Sequence, residues 1–103
     1  MTIQTTKTGS EATILLQGRL DTMTAPQLEA ELRQTLPGLR ALTLDFAGLD
    51  YLSSAGLRVL LLAQKHMNQQ GQMKLIHVNQ VIMEILDVTG FTNILTIVPN
   101  DPA

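Results

Sequence analysis

The chain has 103 residues, 45% hydrophobic, 16% charged and 3% aromatic, with seven basic and nine acidic side chains and a formal charge of -2. That composition suits one globular domain spanning residues 1–103, excludes a disordered chain, and gives no electrostatic footprint for nucleic acid or an anionic membrane. The absence of cysteine excludes disulfides and thiolate metal sites.

Thr2–Lys7 reads as a short strand, Thr8-Gly9-Ser10 as a turn, and Ala12–Gln17 as a second strand, together an entry hairpin. Gly18 to Met23 follows as a loop. Thr24 has the chemistry of an N-cap, with Pro26 in the first turn of a helix that ends near Pro37-Gly38. Ala25, Leu28 and Leu32 repeat at helical spacing within it. Ala41–Phe46 alternates as a strand, and a second helix runs from about Ser54 to about Gln70, with Leu57, Leu60, Leu61 and Met67 on its inner stripe. Gly71 stops it. Lys74–Val78 is a short buried strand carrying His77. Asn79 caps a third helix through about Val88, which Gly90 ends, and Ile94–Val98 is a further strand or short helix before a polar tail.

This order, β-β-α-β-α-β-α-β, predicts an α/β domain: a mixed, mainly parallel sheet of four to five strands with amphipathic helices packed on it. The longest apolar run, Val59 to Ala63, is too short to span a bilayer, and no N-terminal run resembles a signal peptide. A soluble, cytoplasmic domain is expected.

The most informative stretch is Asp50-Tyr51-Leu52-Ser53-Ser54-Ala55-Gly56-Leu57-Arg58. Two hydroxyls stand where a strand gives way to a helix. Unpaired backbone N–H groups and the positive helix end gather there, which favours a cap or a phosphate. If the strands before Asp21 and Ser54 are neighbours, both residues face one rim at the C-terminal edge of the sheet, where α/β folds place functional loops. Gly56, lacking a β-carbon in the first helical turn, permits close approach either by another chain or within the domain. Arg58, one turn beyond Ser54, is either a solvated arginine or a partner for a carboxylate or phosphate.

Other chemistry has little support. His66 and His77 have no second ligand or acid at useful spacing, so no metal site is expected, and Met67, Met73 and Met83 read as core or groove filler. No phosphate loop of either common pattern is present, and Ser54 lacks the nucleophile elbow and His–Asp partners of a hydrolase. No catalytic residue and no cofactor are expected.

Gly18-Arg19-Leu20-Asp21-Thr22-Met23-Thr24-Ala25, Leu44-Asp45-Phe46, Tyr51 to Leu60 and Ile85 to Phe91 together resemble the STAS domain, and more narrowly the stand-alone bacterial anti-sigma factor antagonists. The resemblance implies partner switching. An unmodified antagonist of that family binds an anti-sigma factor that is also a serine kinase, releasing a sigma factor. The kinase uses ATP to phosphorylate a serine at the start of the second main helix, and a serine phosphatase reverses it. By position the phosphoacceptor is Ser54, and the partner-binding set is Asp21, Thr24, Ser53, Ser54, Ala55, Gly56 and Arg58. Many members carry Asp just before the acceptor. Here Ser53 stands there and is a second candidate acceptor, while Ala55 replaces a hydroxyl found in some relatives.

Two alternatives belong to other classes. One is a constitutive STAS subunit of a membrane transport or other regulatory assembly, in which Ser54 is only a helix cap. The other is a small enzyme or nucleotide-binding protein.

Overall fold

Gly9, with φ at +62°, opens a two-residue turn that pairs Thr8 with Glu11 and folds the first two strands into an antiparallel hairpin. The computed structural model describes residues 1–100. In chain order they form β1 (Thr2–Thr8), β2 (Glu11–Leu20), α1 (Ala25–Thr35), β3 (Ala41–Leu52), α2 (Ser54–Asn68), β4 (Gln72–Ile76), α3 (Gln80–Val88) and a 3-10 turn at Phe91–Asn93. The end of the polar tail, 101–103, lies outside the described residues.

The sheet order is β1-β2-β3-β4, with β2, β3 and β4 parallel and β1 antiparallel at one edge. This is the mixed, mainly parallel sheet expected from the element order. Alternation places Ile14 and Leu16 of β2, Leu42, Leu44 and Phe46 of β3, and Met73 and Leu75 of β4 in the core. Against them pack Leu28 and Leu32 of α1, Val59, Leu60, Ala63 and Met67 of α2, and Ile82 and Leu86 of α3. Fully burying each large aliphatic or aromatic side chain contributes about 1.5–3 kcal/mol, so this single core is the main source of stability. The opposite sheet face carries the register row Thr6, Thr13, Thr43 and Lys74.

Several boundaries depart from the sequence reading, each for a local reason. The strand β2 continues through Gly18-Arg19-Leu20, which the sequence suggested as loop, because β3 itself runs on to Leu52. Two register shifts, between Leu15 and Gln17 and between Gly18 and Arg19, keep the pair in contact. Gly48 lies against Gln17 there, where an added Cβ would sit 2.7 Å from Gln17 Cγ. In α2, Leu61 is only half-buried, and Val59 and Ala63 share the inner stripe instead. The segment Ile94–Val98 contributes one isolated parallel bridge, Leu75 with Ile97, rather than a fifth strand.

Asn79 caps α3 as expected: its side chain accepts from the Ile82 N–H at 2.9 Å and its Nδ2 donates to the Leu49 carbonyl at 2.9 Å. Gly90, at φ +81°, ends the segment. His77 is a correction. It follows β4 rather than lying in it, adopts φ +57°, and its Nδ1 stands 2.8 Å from Asp45 Oδ1. The acid that sequence spacing could not supply comes from a neighbouring strand.

Candidate functional site

The parallel strands β2 and β3 end side by side. Leu20 pairs with Leu52, and the Ser53 N–H donates to the Leu20 carbonyl at 2.9 Å as a last rung of the ladder. The loop that begins at Asp21 and the start of α2 therefore share one rim, as their strand positions suggested.

Within the first loop Asp21 organises the backbone. Its Oδ1 accepts from the Met23 N–H at 3.0 Å and the Thr24 N–H at 3.1 Å. Thr24 does not cap α1 through its side chain. Its Oγ1 donates to the Arg19 carbonyl at 2.7 Å and accepts from the Asp21 N–H at 2.9 Å, so the hydroxyl closes the loop instead. Arg19 Nε lies 3.6 Å from Asp21 Oδ2, and the guanidinium sits 4.2 Å above the Tyr51 ring. Arg19 and Tyr51 are register partners across β2 and β3. Sequence spacing does not reveal that they meet; only the strand register does. Met23 of the same loop is 86% exposed.

The two serines differ sharply. Ser53 occupies the N-cap position with an extended backbone (φ -98°, ψ 174°), yet its Oγ makes no capping bond and is buried without a partner. Ser54 is the first residue of α2 and is exposed. The cap position thus belongs to Ser53, and the view of Ser54 as a cap is corrected. The hydroxyl offered to solvent is that of Ser54.

Ala55 is half-buried against the core, and Gly56 is buried. A Cβ on Gly56 would meet Leu20 Cγ at 2.7 Å and Leu52 Cδ1 at 2.8 Å, so the glycine serves close packing of α2 onto the strand ends. Arg58 is exposed one turn along the helix. The first turn of α2 contains no acidic side chain. The Asp21–Thr24 loop and Ser54 thus lie along one rim, Arg58 follows Ser54 by one helical turn, and Gly56 packs beneath the helix start on Leu20 and Leu52.

Partial burial pushes the Asp21 carboxyl up, but the Thr24 N–H and hydroxyl, the Met23 N–H and the Arg19 guanidinium outweigh it and hold the group below its ordinary range. A depressed folded-state value means that the ionised form supports the fold. The stabilisation is present above about pH 4 and is lost as the pH falls through the lower, folded-state value. Asp21→Asn is therefore expected to flatten the acid limb of a thermal-stability profile below about pH 5, checked by melting at stepped pH. An acid limb as steep as wild type would remove Asp21 from this role.

Among the described residues no group of three or more His, Cys, Asp or Glu side chains could hold a metal ion, and no helix is long and apolar enough to cross a membrane. Residues 3–99 match the family model described as Mlab, STAS domain.

The chain belongs to the STAS domain family. Over 84 residues it is 43% identical to BtrV of Bordetella bronchiseptica, named as an anti-sigma factor antagonist, covering 80% of this chain and 72% of that one. Solved structures share the fold at much lower identity. An anti-sigma factor antagonist from Mycobacterium paratuberculosis matches with a TM-score of 0.86 at 19% identity, over 96% of this chain and 86% of that one. The Bacillus cell fate determinant SpoIIAA in its phosphorylated form matches with a TM-score of 0.74 at 16% identity, over 96% and 93%.

Proposed function

We propose that the chain is an anti-sigma factor antagonist acting by partner switching, and that Ser54 is its phosphoacceptor. The observation that carries this reading is the exposed Ser54 hydroxyl at the start of α2, on the rim it shares with the Asp21–Thr24 loop. The likeness to BtrV supports the partner class. In the unmodified state the rim docks an anti-sigma factor with serine kinase activity, and the sigma factor held by that protein is freed. The chain itself does no chemistry and takes no cofactor. It acts where RNA polymerase acts, in the cytoplasm.

The kinase supplies ATP. The Ser54 Oγ loses its proton to a base on the kinase and bonds to the γ-phosphorus, while the bond to the bridging oxygen breaks and ADP leaves. The product carries about -1.5 to -2 charge at neutral pH. Added to a docking surface on the rim that Ser54 shares with the Asp21–Thr24 loop, that charge and bulk end the complex. A serine phosphatase restores it by hydrolysis. The buried Ser53 hydroxyl is the poorer acceptor, because a kinase would have to pull it out of the strand end.

The test is to incubate the full chain with the anti-sigma factor kinase it binds and ATP, and to map the phosphate by peptide mass spectrometry. One phosphate on Ser54, absent in Ser54→Ala, is expected. Phosphate on Ser53 would reassign the acceptor, and no phosphate at all would sink the switch.

A further inference from the structure

Two arginines belong to the elements that build this rim, Arg19 near the end of β2 and Arg58 in α2, and they are placed differently. Arg19 is engaged, 3.6 Å from Asp21 and stacked at 4.2 Å on Tyr51. Arg58 is exposed and enters no ion pair among the described residues. It stands four residues after Ser54 on the same helix, and side chains at that spacing are neighbours on the surface. The remaining charged or titratable groups of this rim are Asp21, and Asp50 and Tyr51 in β3.

We infer that Arg58 is the internal receiver of the Ser54 phosphate: the guanidinium pairs with the phosphate it faces across one helical turn, and its charge is thereby withdrawn from the docking surface. The inference rests on Ser54 being the acceptor. A guanidinium matches phosphate oxygens in a planar, two-pronged geometry that a lysine cannot reproduce. Phosphorylation on this account changes the surface twice. It adds an anion, and it removes the cation that a partner carboxylate would otherwise meet. No acidic side chain in the first turn of α2 competes for Arg58 from within the helix.

Full-length protein with phosphoserine installed at position 54 by genetic encoding tests this without any kinase. Phosphorus NMR across pH reads the second ionisation of the phosphate, ordinarily near 6. Removing Arg58 as Arg58→Gln is expected to raise that midpoint by about 0.2–0.4 pH unit, as an i,i+4 ion pair would. Arg19→Gln should move it less. An unchanged midpoint in Arg58→Gln, or a larger displacement in Arg19→Gln, would overturn the inference. Failure of the switch itself would show elsewhere, as a partner captured equally by the phosphorylated and unphosphorylated chains.

Discussion

Ser54→Asp is expected to weaken binding of the anti-sigma partner by at least about 30-fold, while Ser54→Ala retains it. A like charge set against a docked surface costs several kcal/mol, and about 2 kcal/mol is already a 30-fold change. The residue is exposed, so neither substitution disturbs the core. An aspartate in the first turn of α2 would, if anything, stabilise the helix by about 0.3–1 kcal/mol. The affinity loss and an unchanged or slightly raised melting temperature are therefore expected together. Titration calorimetry with the purified partner, or capture from native lysate read by mass spectrometry, checks the first, and a thermal melt checks the second. Equal binding by wild type, Ser54→Ala and Ser54→Asp would favour a constitutive subunit.

The largest effect on the fold is expected from Gly71→Ala. Gly71 joins α2 to β4, and its N–H donates to the Met67 carbonyl at 2.7 Å. A β-carbon there would overlap the Arg40 carbonyl oxygen and lie 2.6 Å from its carbon and 2.8 Å from Arg40 Cα. All three atoms are backbone, so no side chain can swing aside. The same carbonyl accepts from the Gln72 N–H at 2.9 Å, a link just ahead of the β3–β4 ladder. Overpacking costs about 1–3 kcal/mol and losing that link about 1 kcal/mol more, or roughly 3 kcal/mol together. For a domain of this size that lowers the melting temperature by roughly 12–24 °C. A loss below about 4 °C would show that the junction yields more easily than its backbone contacts suggest. Gly9→Ala makes a useful contrast: nothing lies within 4 Å of its β-carbon, and only the positive φ is unfavourable.

Strong, regular patterns were legible in the sequence. The alternation of Leu42, Leu44 and Phe46, the helical repeat of α1 and the Asn79 cap each fix an element by local chemistry, and their order gives the sheet. What escaped was non-local. Beyond Phe46 the alternation breaks, because β3 takes one extra residue against β2 at each of two register shifts and Leu49 and Leu52 reach the core out of phase, so β3 looked finished six residues early. That continuation moves the cap position onto Ser53 and turns Ser54 outward. Thr24 has the chemistry of a cap, yet its hydroxyl donates its hydrogen bond to the Arg19 carbonyl, a contact that exists only once β2 extends to Leu20. The Arg19–Tyr51 stack and the Asp45–His77 pair join residues far apart in the chain through strand register, which single-sequence periodicity does not encode.

The bond from the Ser53 N–H to the Leu20 carbonyl bears on how such a surface can diversify. It anchors both halves of the rim to adjacent ends of one ladder, so the sheet rather than the loop sequences sets their spacing. On the docking role proposed for this rim, side chains such as Met23 and Tyr51 can be exchanged one at a time, and a new partner acquired, with the gap between the halves held constant. Substitutions tune what is recognised, while the frame that presents them stays rigid.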